Sequence, residues 1–463
     1  MKFTTKGLGR TGLDLAVPFQ VDVYLDGSGA DKEGVAATLN FTSITRNFPN
    51  RRVSGIAEVD GGAVFAKVFY GRRARRYWQR EIRGAELIGP SEAPSPKLVG
   101  QGVTADGAGY VVLYQALVDA AGLSDGSHVE MSAAARCLAR LHDADLIQTD
   151  PHLNNFIHCK GMVYAVDFDG LKRTDVLRQH LKNLGVLLAQ RAPEYDKEIE
   201  EIWRAYADER GESVQQMGSP EEIKSHTLHA RRERVRRYIR KTQRECTEFV
   251  RRKRFAREFL CDRSHWSRMQ RFMVAPDEFM RAGVPLKLGN SASVVRVRIE
   301  GTTYVVKRYN IKNFGHRLRR WFKRRGRNAW CNGHWLAFLG IETAKPVALL
   351  EKRWGWFPGV AYLVMPECGA EDLGHTLANH PDRFDELSRK TIALMCKLKD
   401  AGLRHGDLKA TNFMVQGDAV LIIDYDAISE GRSATDAERF LANWEEETEI
   451  QANWRQMMAD AGL

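Results

Sequence analysis

Asp407, Asn412 and Asp424 stand five and then twelve residues apart in the stretch LRHGDLKATNFMVQGDAVLIIDYDAI, residues 403–428. Between Asn412 and Asp424 an apolar run, Gln416-Gly417-Asp418 and a second apolar run predict a short hairpin. A hairpin of this length returns the chain on itself, so the amide and the carboxylate can face one another. Both offer hard oxygen ligands of the kind that hold Mg²⁺ on polyphosphate oxygens. Asp407, just ahead of the hairpin, is placed to accept the proton of an incoming hydroxyl. That combination suits phosphoryl transfer, where positioning and charge neutralisation supply most of the rate.

The pattern occurs twice. Asp150, Asn155 and Asp167 repeat the five-and-twelve spacing in QTDPHLNNFIHCKGMVYAVDFDG, with the turn now at Lys160-Gly161. Asn155-Phe156 matches Asn412-Phe413, and Asp167-Phe168-Asp169 matches Asp424-Tyr425-Asp426. One Asp-x4-Asn is easily an accident of composition; two copies with matching downstream strands mark an internal duplication.

Each copy needs a scaffold, and the preceding chain supplies the signals for one. Thr38 to Tyr70 alternates in the manner of strands around a turn at Asp60-Gly61-Gly62, and Lys67 lies within the last of these strands. A lone strand lysine usually snorkels at a sheet edge. Followed by a helical stretch carrying Glu81, it looks like the lysine–glutamate pair that orients ATP phosphates. The second copy opens with LKLGNSASVVRVRIEGTTYVVKRYN, which places Lys307 as Lys67 is placed. Its turn holds Gly289 and Ser291 but no G-x-G-x-x-G; small residues there can still bring backbone N–H groups to phosphate oxygens. Pro366 and Cys368, after the strand Tyr362–Met365, form a hinge whose remaining carbonyl and N–H suit an adenine edge. Residues 1 to about 35 carry no clear pattern, and 194–272 read as mostly helical and highly charged.

Composition sets the outer bounds. At 463 residues the chain suits two domains, expected at 1–265 and 266–463. Its seven scattered cysteines form no C-x-x-C pair, which argues for a reducing compartment and against a disulfide or zinc framework. No apolar run approaches membrane-spanning length, so a cytoplasmic protein is expected. The net charge of +11 is concentrated. Arg231 to Arg257 holds thirteen Lys or Arg against three Glu, Lys312 to Arg327 holds eight and no acid, and Arg72 to Arg83 is a smaller cluster. Such runs attract phosphates or an anionic membrane surface, or are simply solvated helix faces. Tyr238, Phe249 and Phe255 interleave with arginines, but no nucleic-acid motif accompanies them, and a nucleic-acid partner is not expected.

The segments LKLGNSASVVRV, YVVKRYN, AWCNGHWLAFLGIETAKPVAL, YLVMPE and HGDLKATNFMV with IIDYD resemble the lipopolysaccharide core kinases, relatives of protein kinases that phosphorylate heptose or Kdo sugars. The resemblance covers nearly all of 285–445 and, more loosely, 38–190. It implies an α+β chain of two tandem bilobal kinase-like domains, each a small antiparallel sheet lobe plus a helical lobe. ATP and Mg²⁺ are the implied cofactors, and a core sugar hydroxyl at the inner face of the inner membrane is the implied acceptor. On this match Asp407 (and Asp150) would deprotonate the acceptor, and Asn412 with Asp424 (Asn155 with Asp167) would hold Mg²⁺. Lys307 would neutralise the α- and β-phosphates, and His405 would brace the loop. Three departures stand out. No Asp or Glu lies between Arg308 and Ile341 to pair with Lys307, leaving Asn332 and His334 as substitutes. Gln148 replaces the bracing histidine, with Pro151 after Asp150. Aspartate stands in both copies where D-F-G has glycine. A kinase of another acceptor (a protein or a small molecule) and a non-catalytic scaffold remain as alternatives.

Overall fold

A computed structural model describes residues 1–11, 15–26, 34–123, 126–211, 218–310, 324–354, 357–369, 371–431 and 434–463. Most of the basic run 312–327 and residues 27–33 lie outside the described residues. Contacts divide the chain into two compact units, Met1–Arg191 with Lys197–Arg231, and Ala192–Asp196 with Arg232–Leu463. The division falls inside helix Pro220–Thr242.

In the first unit a seven-stranded sheet is built from β1 (Phe19–Asp26), β2 (Val35–Phe41), β3 (Arg46–Phe48), β4 (Arg52–Val59), β5 (Gly62–Tyr70), β6 (Leu98–Thr104) and β7 (Gly109–Gln115). Their order is β2-β1-β6-β7-β5-β4-β3. The patternless N-terminus thus supplies an inner strand, β1. The β4–β5 hairpin closes through Asp60 and Gly61, both at positive φ (50° and 77°), the backbone that a two-residue turn between twisted strands demands. Helix Ala74–Ile88 follows β5 and buries Trp78, Ile82, Ala85 and Ile88. A helical region, with His128–Asp143, Leu177–Leu188 and Ile199–Glu209, shares one core with that helix, which includes Leu138, Leu184, Trp203 and Tyr206. The repeat motif lies within it, on the short strands β8 (Ala121–Gly122), β9 (Leu146–Gln148), β10 (Phe156–Cys159), β11 (Met162–Ala165) and β12 (Leu171–Arg173).

The second unit repeats this plan. Its sheet comprises β13 (Phe249–Arg254), β14 (Arg257–Asp262), β15 (Val284–Leu288), β16 (Ala292–Ile299), β17 (Thr302–Tyr309), β18 (Ala348–Trp354) and β19 (Phe357–Pro366), in the order β13-β14-β18-β19-β17-β16-β15. The β16–β17 turn again uses a left-handed pair, Glu300 and Gly301. Helix Arg325–Phe338 stands where Ala74–Ile88 does in the first unit. Helices Phe384–Asp400, Ala434–Leu441 and Thr448–Asp460 form the helical region with the short strands β20 (Glu371–Asp372), β21 (Leu403–Arg404), the hairpin of β22 (Phe413–Gln416) and β23 (Ala419–Ile422), and β24 (Ser429–Glu430). Leu387, Leu398, Phe413, Phe440 and Trp454 are buried in its core.

Residues 249–262 differ from expectation. They form a β-hairpin in the second sheet, so that sheet begins well before residue 266. The arginines mask a period of two. Val250, Phe259 and Cys261 join the core on one face of the sheet, while Phe249 and Leu260 join the core on the other. Glu258 is buried under Arg251, Arg327 and Arg353.

Candidate functional site

Each unit brings its strand lysine to the aspartate that ends its hairpin. In the second unit Lys307 sits mid-strand on β17, paired with Val294 on β16 and Leu363 on β19, and is buried. Its Nζ donates to Asp424 Oδ1 at 2.5 Å and to Asp426 Oδ2 at 3.2 Å. Asp424 adopts the left-handed conformation (φ 56°), which lifts it off the end of β23. Burial pushes its carboxyl up, but the neighbouring Lys307 outweighs this and holds it below the ordinary carboxylate range. Asn412 donates its amide to the Asp407 carbonyl at 2.7 Å, which leaves its oxygen as the ligand atom. Asp407 itself is half exposed, with Lys409 Nζ 2.9 Å away.

His405 braces this loop. Its Nε2 bonds the Ile423 carbonyl at 3.1 Å, one residue before Asp424, and burial holds its pKa down so that the ring stays neutral. The backbone N–H groups of His405 and Gly406 both donate to the buried carboxylate of Asp436, at 2.6 and 2.9 Å. Gly406 (φ 82°) takes a backbone that residues with a side chain rarely adopt.

The same frame appears in the first unit. Lys67 Nζ donates to Glu81 Oε1 at 2.7 Å and to Asp167 Oδ1 at 3.0 Å, and the Tyr114 hydroxyl donates to Glu81 at 2.8 Å. Asn155 donates to the Asp150 carbonyl at 3.1 Å, and Asp167 is again left-handed (φ 67°). Gln148 Nε2 donates to the Val166 carbonyl at 3.3 Å, the bond that His405 makes in the second unit. The replacement of histidine by glutamine therefore leaves the brace in place.

The missing glutamate has a replacement that the sequence did not single out. Neither expected substitute touches Lys307. Asn332 donates to the carbonyls of Tyr425 and Ile428, and His334 is buried beside Tyr238. The second carboxylate comes from Asp426, which also accepts from the Tyr309 hydroxyl at 2.6 Å and pairs with Arg325 at 2.9 Å. Its signal was the second aspartate of D-Y-D. Lys409, two residues beyond Asp407, was equally readable; Asp436 and Arg52 are long-range partners that no local pattern marks.

The remaining expected residues lie around the sheet. Gly289 and Ser291 form the turn between β15 and β16, tied down by Asn310, whose amide donates to the Gly289 carbonyl and whose N–H donates to that of Ser291. Pro366 ends β19, and the Cys368 thiol, pushed up to about 11 by burial, donates to its carbonyl at 3.5 Å. The basic runs are partly spent on internal pairs: Arg80 donates to the Asp169 carbonyl, and Arg251 and Arg252 meet Glu258 and Glu245.

Among the described residues no three His, Cys, Asp or Glu side chains converge as a metal cage. Mg²⁺ needs no such cage, because it commonly keeps its waters and takes one or two carboxylates plus phosphates. In the second unit Asp424 and Asn412 fit that demand, since the Asp424 side chain is 41% exposed and faces a single lysine at close range.

No family model and no curated protein matches the chain. Among the solved structures that align with part of it are two kinase-sized chains. WaaP in complex with an acyl carrier protein is 18% identical over 43% of this chain and 89% of that one, with a TM-score of 0.30. Amicoumacin kinase hAmiN with AMP-PNP, Ca²⁺ and Ami is 12% identical over 42% of this chain and 81% of that one, at 0.32.

Proposed function

We propose that the chain carries two tandem kinase-like units and that the second is a phosphotransferase moving the γ-phosphoryl of ATP to a hydroxyl. One observation carries this: three segments meet, with Lys307 bonded to Asp424, Asn412 bonded to the Asp407 carbonyl, and the Ile423 N–H, next to Asp424, donating to the Asn412 carbonyl at 2.8 Å. Lys307 would bind the α- and β-phosphates. Bound Mg²⁺, held by Asn412 and Asp424, would neutralise charge on the phosphate oxygens. Asp407 would orient the acceptor hydroxyl and take its proton as the new O–P bond forms and the bond to ADP breaks. Lys409, beside Asp407, would meet the negative charge of the moving phosphoryl group.

For the acceptor we infer a heptose or Kdo sugar of the lipopolysaccharide inner core. The support is the resemblance of LKLGNSASVVRV, YVVKRYN and HGDLKATNFMV with IIDYD to that kinase family. The net charge of +11 also suits work against an anionic membrane surface, as a peripheral protein at the inner face of the inner membrane. Among the described residues no helix is long and apolar enough to cross a membrane.

The test is transfer of label from γ-labelled ATP with Mg²⁺ onto core lipopolysaccharide from a strain lacking this protein. Label should enter the core with wild type and fall about 10²–10⁴-fold with Asp407→Ala. ATP turnover without labelled core would move the acceptor to a protein or a small molecule. Nucleotide binding without turnover would leave a scaffold.

A further inference from the structure

The two sites differ in how many cations face the aspartate. In the first unit three side chains converge on Asp167: Lys67 at 3.0 Å, Arg52 at 3.3 Å and Arg46 at 3.8 Å. With Glu81, that makes three cations against two carboxylates. In the second unit Asp424 and Asp426 meet Lys307 and Arg325, two against two. The decisive residue is Arg52. It lies on β4 opposite Phe69, two residues beyond Lys67. At the same register position the second unit has Ala292, opposite Tyr309 and two residues beyond Lys307. Arg52 is 6% exposed, and its Nε is buried with no hydrogen-bond partner among the described residues.

A buried guanidinium with an unspent N–H, together with Lys67 and Arg46, already compensates the charge of Asp167. A divalent cation would have to displace these groups, so Asn155 and Asp167, its expected ligands, are poorly suited to Mg²⁺. What does fit is an anion, because arginine offers donors in a fork that matches phosphate oxygens.

We propose that the first unit binds a nucleoside polyphosphate without a divalent metal, Arg52 standing where the cation would be, and that it is a binding unit rather than a second transferase. Lys67, kept in place by Glu81 and Tyr114, supplies the second phosphate contact. This rests on the kinase-like reading of both units, and the two can fail separately.

The experiment is calorimetric titration of ATP into the full chain, once in EDTA and once in Mg²⁺. One ATP per chain should bind in EDTA and should survive Lys307→Ala. A further site should appear in Mg²⁺ and be lost in Lys307→Ala. Arg52→Gln should weaken the EDTA site about tenfold or more, the loss of a charge-assisted hydrogen bond. Mg²⁺ should restore it, because Asp167 then faces one buried cation fewer. Arg52→Lys should retain most of the EDTA binding. The Lys307→Ala comparison leaves the first unit untouched, so the proposal stays testable where Arg52→Gln does not fold. ATP binding that requires Mg²⁺ at every site overturns the proposal and leaves the kinase reading standing. EDTA-resistant binding that Lys307→Ala removes also overturns it. No ATP binding under either condition overturns both.

Discussion

Lys307 and Lys67 hold matching strand positions with different counter-ions. Glu81 reaches Lys67 from a neighbouring helix, whereas Asp426 reaches Lys307 from the segment that also carries Asp424. The lysine and the metal-ligand segment of the second unit are thus fixed by one short stretch. Asp426→Ala should raise the KM for ATP of the second unit about tenfold. It should also cost roughly 3 kcal/mol of stability, because Arg325 and the buried Tyr309 hydroxyl lose their shared partner. Steady-state kinetics and denaturant unfolding read the two effects; an unchanged KM would remove Asp426 from the site. The sequence shows much at this scale. The five-and-twelve spacing locates Asp407, Asn412 and Asp424, and strand alternation locates Lys307. Asp436 and Arg52 escape it, since each acts on a partner brought close only by the fold: Asp436 is about thirty residues from the loop it holds and Arg52 more than a hundred from Asp167.

At the scale of elements, the hairpin β13–β14 decides what counts as the second unit. It pairs with β18 along Arg257 to Cys261 and buries Glu258 among three arginines. Helix Arg325–Phe338 is tied to the sheet through Arg327, which meets both Glu258 and Glu351. A fragment of residues 218–463 should therefore unfold cooperatively. One of residues 266–463 exposes the edge of β18 and strips the arginines of Glu258, so it should aggregate or unfold without a transition. Equal cooperativity in the two fragments would contradict this. The hairpin is hidden in the sequence because four of the six residues in β13 are basic, Arg251 to Arg254, and that charge conceals the alternation of its buried neighbours. Where strands carry apolar runs, as in β5, β17 and β19, the expectation and the structure agree.

Across the whole molecule, burial sets the response to acid. His142, His180, His334 and His405 are all held below the ordinary value of 6.5 by burial, His334 at about 3. The unfolded chain then binds more protons than the folded one, so these histidines stabilise the fold above 6.5 and lose that contribution as pH falls toward their folded values. Asp167 and Asp424, held low by Lys67 and Lys307, act in the same direction at still lower pH. The melting temperature should drop steadily from pH 7 to pH 5. His405→Gln, which reproduces the brace of Gln148, should keep activity and flatten part of that drop. A melting temperature that rises toward pH 5 would contradict the assignment of neutral buried imidazoles.

In the division of labour we propose, the second unit transfers phosphate and the first only binds. Turnover of γ-labelled ATP by the full chain, with Asp407→Ala and Asp150→Ala measured beside wild type, tests it without knowledge of the acceptor. Asp407→Ala should lose turnover by about 10²–10⁴-fold while Asp150→Ala stays within about twofold of wild type. Loss of turnover in Asp150→Ala with Asp407→Ala unaffected would contradict it.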